Sequence, residues 1–255
     1  MSIRRLDRRR FIARAAAGLS TLLLSGCDEI YQSSWYLTLI DGAEALSKRV
    51  QRAITGQALA PEFTEADLSP DFRSNGTHDP DDPEYQKLAA TGFTDWRLEV
   101  GGLVERPMSL SLAELRALPS RTQITRHDCV EGWSCIGKWK GAPLSALLER
   151  VGLRPQARYV VFYCADPMDP TGAKYYESID FDDAYHPQTI LAYEMNDRTL
   201  PVPYGAPLRL RVERQLGYKM AKYIMRIELV DSFAEIGDGR GGYWEDQGYE
   251  WYAGI

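Results

Sequence analysis

The alternation of apolar and polar residues predicts strands along most of the chain beyond residue 95. Trp96, Leu98 and Val100 alternate with Arg97 and Glu99, which is typical of a half-buried strand. Further strands are predicted at 121–129, 159–163, 190–193, 208–212 and 224–230. Because strands outnumber helices and do not alternate with them regularly, the predicted fold class is α+β, mostly β.

Apolar residues at helical spacing predict a small number of helices. The stripe of Leu46, Val50 and Ile54 predicts an amphipathic helix that begins near Asp41, where a capping-box pattern occurs, and ends at Gly56. Two shorter helices are predicted at 111–118 and 143–151. Residues 61–83 are rich in Pro, Asp, Ser, Asn and Gly, so they are predicted to be irregular.

The first 26 residues predict an export signal. An arginine-rich stretch precedes an apolar run at 15–26, which is too short for a membrane-spanning helix. Residues 7–12 resemble a twin-arginine signal, whose pathway carries proteins that are already folded. Residues 24–27 resemble a lipobox, in which Cys27 would carry the lipid. We therefore expect a periplasmic protein anchored to the inner membrane through Cys27, with an ordinary secretory signal or a membrane-spanning anchor as the alternatives.

Charge is distributed unevenly along the chain. Without residues 1–26 the formal charge is −11, which argues against nucleic acid as a partner. Residues 205–226 nevertheless carry a net charge of +5, and the strand alternation places Arg209 and Arg211 on one face. Guanidinium and ammonium groups bind phosphate, so this segment is a candidate anion pocket. A solvated strand face is the alternative.

Cys129 is the candidate metal ligand. It lies between a predicted strand and a turn rich in Trp and Gly, and thiolates suit thiophilic metals. A zinc site with His127 and Cys135 would lack a fourth ligand at a familiar spacing. A buried structural thiol, or a disulfide of Cys135 with Cys129 or Cys164, remains open. A soft thiol combined with a phosphate-binding segment is what a metal carried by a phosphorylated organic cofactor requires.

Four motifs in this order resemble those of the sulfite oxidase family, in particular its bacterial periplasmic branch of methionine-sulfoxide reductase catalytic subunits. They lie at 126–134, 190–196, 205–209 and 217–222. The resemblance implies a sulfite-oxidase-type molybdopterin-binding catalytic domain at 70–232. It also implies a Mo-molybdopterin cofactor, with the molybdenum bound by the thiolate of Cys129.

The resemblance also implies which residues contact the cofactor. Cys164 and Tyr204 depart from the polar residues that relatives carry at their positions. Residues 72–76 resemble the family's first pterin-binding turn. The implied cofactor contacts are Phe72, Asn75, Gly76, Cys164, Tyr204, Arg209, Met220, Ala221 and Lys222.

The implied catalytic residues are Cys129, Tyr175 and Arg73. Tyr175 matches the family's pocket tyrosine, and Arg73 is a candidate for contact with a polar substrate. Ser74 and Gly76 stand where sulfite oxidases carry Arg and His, and this favours a reductase.

The implied activity is two-electron oxygen-atom transfer on a small S- or N-oxide by a molybdopterin-dependent oxidoreductase, with the reductase direction favoured. Sulfite oxidation is one alternative, and a non-catalytic exported lipoprotein that binds a partner through its aromatic tail is the other. We expect a monomer that exchanges electrons with a separate haem or quinone partner, such as a membrane cytochrome b. The predicted domains are a signal peptide at 1–26, an N-terminal helix and linker at 27–69, the catalytic domain at 70–232 and an aromatic tail packed on it at 233–255.

Replacing Cys27 with alanine is expected to release the exported protein from the membrane, because the lipobox cysteine carries the lipid. Fractionation of cells that produce each protein measures the change. Cys135→Ala is the matched control and is expected to stay in the membrane fraction. Membrane association that is unchanged in Cys27→Ala would contradict the lipid anchor.

Overall fold

The computed structural model describes residues 33–255, which fall into a unit that ends at Gly56 and a second unit, Gln57–Ile255. The predictions for the signal sequence and Cys27 lie outside the described residues. In the first unit, helix α1 spans Ser34–Thr55 and ends at Gly56, whose φ is 52°. The predicted start at Asp41 is wrong, because the residues before it contain no Pro or Gly that would stop a helix. No helix within residues 33–255 is long and apolar enough to cross a membrane.

The second unit contains ten strands and five helices among its described residues. The strands are β1 (Arg97–Gly102), β2 (Met108–Ser111), β3 (Arg121–Asp128), β4 (Ser134–Pro143), β5 (Tyr159–Pro167), β6 (Lys174–Asp180), β7 (Ile190–Met195), β8 (Arg198–Thr199), β9 (Arg209–Arg211) and β10 (Ile224–Val230). The helices are α2 (Pro83–Ala90), α3 (Leu112–Arg116), α4 (Leu144–Val151), α5 (Phe181–Ala184) and α6 (Tyr243–Asp246). Strand residues outnumber helical ones in this unit, which confirms the predicted class of an α+β fold that is mostly β.

The strands of the described chain form two five-stranded sheets. The first has the order β2-β1-β10-β5-β6, and in it β1 and β10 are parallel while the other pairs are antiparallel. The second has the order β3-β4-β7-β8, with β9 also paired to β7. Pro167 at the end of β5 pairs with Lys174 at the start of β6, so Asp166 and Tyr175 lie at the same end of this hairpin.

One hydrophobic core contains side chains from both sheets. Leu98, Phe162 and Ile227 of the first sheet belong to the same buried cluster as Leu191 and Leu210 of the second. Helix α4 adds its apolar face to this cluster, and Ser111 caps α3 with the predicted capping box. A smaller cluster around Phe72 and Trp139 packs against β7.

Four strands were not predicted from the sequence: β2, β4, β6 and the two-residue β8. β4 contains Gly137 and Gly141, and its alternation is interrupted by lysines. Both glycines are required by close packing: a Cβ on Gly137 would lie 2.9 Å from the Phe72 ring, and one on Gly141 would lie 2.2 Å from the carbonyl oxygen of Leu191. The pairing of β4 with β7 therefore depends on residues that weaken an isolated strand.

Gly141→Ala is expected to destabilise the fold by about 2–4 kcal/mol, because the new Cβ meets the backbone of β7, which cannot move without breaking the sheet. Gly101→Ala in β1 is the matched control, since a Cβ there meets nothing within 4 Å. Chemical denaturation measures both free energies of unfolding. Equal values for the two variants would contradict the packing described.

Candidate active site

A cavity of about 160 Å³ lies at the end of the β5–β6 hairpin. Its walls come from separate parts of the chain: the turn 75–77, the turn 129–131, the segment 166–168, Tyr175 and the stretch 217–222. Trp244 and Tyr249 of the C-terminal segment complete it. The cavity therefore brings together four of the segments that the sequence singled out.

Cys129 follows β3 directly and lines this cavity. Its backbone N–H donates to Trp133 O at 2.9 Å, and its carbonyl accepts from Gly132, whose φ of 86° favours glycine. The side chain is 8% exposed, and burial raises the pKa of its thiol. Without a metal the thiol therefore stays protonated at neutral pH, and a bound cation would displace the proton.

The other cysteines do not share this position. Cys129, Cys135 and Cys164 are all free thiols, so neither disulfide considered above is formed. Cys135 is half-buried in β4. Cys164 is buried in β5, where burial raises its pKa well above the ordinary value, and it is not part of the cavity lining. Its predicted cofactor contact stays a prediction.

His127 connects the Cys129 strand to the turn at 217. Its ring is fully buried, and Arg211 donates to its Nδ1 at 3.1 Å. Burial and the neighbouring cations hold the pKa of His127 well below its usual value, so the ring is neutral. A Cβ on Gly217 would lie 2.3 Å from this ring, so only glycine permits the two segments to approach so closely.

Arg209 and Arg211 are both fully buried on β9, and each guanidinium lies over the Trp139 ring, at 5.1 and 4.4 Å from its centroid. The alternative of a solvated strand face is therefore wrong. Arg211 forms a buried ion pair with Glu213. Arg209 donates to Tyr204 O at 3.2 Å, but its Nε and Nη2 have no hydrogen-bond partner within residues 33–255, and burial lowers its pKa to about 9.

Lys222 is the second buried cation near the cavity. Its Nζ donates to the carbonyl oxygens of Asn75 at 2.7 Å, of Pro203 at 3.0 Å and of Thr77. Burial and Arg209 lower its pKa to about 7. These bonds hold the turn 75–77 against the stretch 217–222, and cofactor contacts are predicted in both segments.

The remaining predicted cofactor contacts surround this centre. Asn75 and Gly76 line the cavity, and Asn75 Oδ1 has no partner. Tyr204 donates to Phe72 O at 2.7 Å, and the two rings make an edge contact. Met220 lines the cavity. Ala221 is buried and accepts from Leu210 N at 2.8 Å.

Of the predicted catalytic residues other than Cys129, Tyr175 lines the cavity and Arg73 does not. Tyr175 lines the cavity and donates to Tyr218 O, and burial raises its pKa well above the ordinary value. The Arg73 side chain is 64% exposed and stacks on Trp133, and it is not part of the lining. Its role in catalysis therefore stays a prediction without support from this geometry.

Two features of the site were missed from the sequence. Asp166 lines the cavity with an unpartnered Oδ1, and burial raises its pKa to about 6. Lys219, counted only as part of a basic segment, is fully buried between Glu177 and Glu245. The available signal for Asp166 was an acidic residue near the end of a predicted buried strand. No local signal exists for the ion pairs of Lys219, because Glu177 and Glu245 lie far from it in the sequence.

These residues fit a large anionic cofactor that carries a metal. Burying Arg209 with two unpartnered donors is unfavourable unless an anion binds there. Cys129 offers a soft ligand in the same cavity that Lys222 and Asn75 line. The fold and the site thus fit a protein that binds an anionic cofactor and offers a cysteine thiolate to a metal carried by it.

Similarity to known proteins identifies the cofactor. Residues 86–235 match the family described as "Oxidoreductase molybdopterin binding domain". The chain is 39% identical over 252 residues to a protein of Azospira oryzae provisionally described as protein-methionine-sulfoxide reductase subunit YedZ1, which covers 97% of this chain and 87% of that protein. It is 34% identical over 239 residues to the protein-methionine-sulfoxide reductase catalytic subunit MsrP of Xanthomonas axonopodis pv. citri, covering 90% of this chain and 71% of MsrP.

A solved structure shows the same fold. The sulfane dehydrogenase SoxCD of Paracoccus pantotrophus superposes with a TM-score of 0.50 at 23% identity, over 59% of this chain and 45% of the other. The chain therefore belongs to the molybdopterin-binding oxidoreductases of the sulfite oxidase family and resembles MsrP. It is a molybdenum-dependent oxidoreductase, which confirms the enzyme hypothesis over that of a non-catalytic lipoprotein.

Asp166→Asn is expected to stabilise the protein above pH 6. The pKa of Asp166 is about 6 in the folded protein and 3.8 ordinarily. Ionisation of its carboxyl therefore lowers the free energy of unfolding increasingly as pH rises from about 4 to 6. The variant's gain should approach at most about 3 kcal/mol at pH 8 and vanish near pH 4.

Unfolding by denaturant at several pH values measures this gain. Asp169→Asn is the matched control, because hydrogen bonds led by the one from Thr171 lower the pKa of that exposed carboxyl. Its substitution should therefore lower stability at neutral pH instead of raising it. A gain in stability for Asp166→Asn that does not vary with pH would contradict the raised pKa of this buried carboxyl.

Proposed function

We propose that the protein is a periplasmic, molybdopterin-dependent reductase of neutral sulfoxides that receives its electrons from a separate membrane haem protein of the cytochrome b type. The names of the relatives support this activity, since both describe reduction of protein methionine sulfoxide. They also describe a subunit, which supports a second chain as electron donor. The export signal supports the compartment.

The charge of the residues that line the cavity is the observation that supports a neutral substrate. Among the described lining residues, Lys222 is the cation, and its ammonium is bound by three carbonyl oxygens. Two acidic residues, Glu131 and Asp166, line the same cavity. Arg73 lies at the surface outside the lining, where it pairs with Glu131 at 3.9 Å. The lining therefore offers a doubly charged oxyanion such as sulfite no excess of positive charge, and a neutral sulfoxide needs none.

The reaction consumes two electrons and two protons, breaks the S–O bond and yields a thioether and water. When bound, the cofactor supplies the two electrons and accepts the oxygen atom. Cys129 would hold its metal, and Arg209 and Lys222 would hold its phosphate. Tyr175 keeps its proton because its pKa is raised, and its hydroxyl, which donates to Tyr218 O, would turn from that carbonyl to donate to the oxide oxygen.

Molybdenum-loaded protein is expected to oxidise a reduced viologen dye when given dimethyl sulfoxide or methionine sulfoxide, and not to reduce ferricyanide with sulfite. Cys129→Ser should lose both this activity and the metal, from about one molybdenum per chain, because the soft ligand is gone. Cys135→Ser is the matched control and should retain both, since it lies outside the cavity lining. Turnover of sulfite without turnover of sulfoxides would contradict the proposal, as would a Cys129→Ser protein that keeps its metal.

A further inference from the structure

The C-terminal segment, residues 237–255, contributes to the cavity although it lies beyond the part of the chain that matches the family. That match ends at residue 235, whereas Trp244 and Tyr249 line the same cavity as Cys129. The residues that hold the cofactor precede this boundary. One wall of the cavity is thus built by a segment that the family's common sequence pattern does not include.

The rings at this wall form one continuous aromatic surface. Trp244 and Tyr249 stack with centroids 5.3 Å apart and planes inclined by 27°. Tyr249 makes an edge contact with Tyr218 at 5.2 Å, and Tyr218 lines the cavity too. We call these three residues the aromatic wall. Tyr249 is 39% exposed, so the wall extends from the cavity to the solvent.

Buried polar contacts hold the wall in place on both sides. Next to Trp244, Glu245 is fully buried and forms an ion pair with Lys219, which also pairs with Glu177. Further along, the carbonyl of Ala253 accepts from Leu216 N at 2.9 Å. Breaking a buried ion pair leaves an uncompensated charge and is strongly unfavourable, so the wall is fixed before any ligand arrives.

The lining around the wall is suited to apolar groups on sulfur. Val130 and Met168 line the cavity beside the aromatic rings. Aromatic faces attract polarisable sulfur and pack against alkyl and aryl groups. A small polar oxide would leave the outer part of this surface without contacts, whereas a larger substituent on the sulfur would cover it.

We propose that Trp244 and Tyr249 bind the larger substituent of the sulfoxide and so determine which sulfoxides the enzyme prefers; this rests on the function proposed above. The oxide oxygen is oriented by the deeper residues, which include Tyr175. Specificity for the substituent is separate from cofactor binding, because the wall and the cofactor contacts are different residues.

The test compares dimethyl sulfoxide with methyl p-tolyl sulfoxide on the molybdenum-loaded enzyme. In the unaltered protein the aryl sulfoxide should have the lower KM. Trp244→Ala and Tyr249→Ala should each raise its KM by about five- to tenfold, while kcat changes little. The KM for dimethyl sulfoxide should change less than about twofold, because that substrate does not reach the wall.

A binding measurement gives a readout that does not depend on turnover. Calorimetry with methyl p-tolyl sulfide, the product thioether, should show a Kd raised by about the same factor in both variants. Phe233→Leu is the matched control: this aromatic residue of the predicted tail packs against Trp251 and Tyr159, outside the cavity lining. It should leave KM and Kd within about twofold.

The outcomes separate this inference from the proposed function. If sulfoxides are reduced but both substitutions leave KM and Kd unchanged, the wall does not bind the substituent and the inference is overturned. If the loaded enzyme reduces no sulfoxide, the proposed function is contradicted, and the inference that rests on it fails with it. Molybdenum content and thermal unfolding identify a misfolded variant. If Trp244→Ala is misfolded, Trp244→Phe replaces it and should restore most of the affinity. Tyr249→Ala, at an exposed residue, then supplies the loss of affinity.

Discussion

Four buried cations lie between residues 209 and 222, with Lys222 lining the cavity, and within the described residues carboxylates pair with only two of them. Arg211 pairs with Glu213, and Lys219 is shared by Glu177 and Glu245. Arg209 and Lys222 have only carbonyl oxygens as hydrogen-bond partners among the described residues. A buried cation without a counterion is unfavourable, and the lowered pKa values of both groups express that cost. Arg211 and Lys219 are thus neutralised within the fold, whereas the positive charges of Arg209 and Lys222 fit the proposed binding of an anion.

The stretch 217–222 connects the separate functions of the site. Gly217 admits the His127 ring, Lys219 holds the C-terminal segment and Lys222 binds the turn 75–77. Each contact uses a different residue type for a different physical reason: absence of a side chain, buried charge and a flexible ammonium donor. A short segment of backbone therefore positions the metal ligand, one wall of the cavity and the first turn relative to one another.

Much of the fold and the centre of the site could be predicted from the sequence, because they depend on local patterns. Alternation located β1, β3 and β10, and the sequence singled out Cys129 and the basic segment 205–226, parts of which the fold brings to one cavity. β6 could not be predicted, because Glu177 and Ser178 make it look polar although both are fully buried. Glu177 is paired by Lys219, 42 residues further on, and Ser178 donates to Gly241 O, 63 residues further on. Likewise, only tertiary contacts show that Arg73 lies at the surface and that Trp244 reaches the cavity.

The position of Trp244 and Tyr249 in the sequence also has a consequence for the order of assembly. Both residues are synthesised after every other residue that lines the cavity, so the nascent chain contains the metal ligand and the anion site before it contains the aromatic wall. Docking of this segment requires the Lys219–Glu245 ion pair, which forms only when Glu245 has emerged. Until the segment 237–255 has been synthesised, the cavity therefore lacks the part of its lining that Trp244 and Tyr249 form.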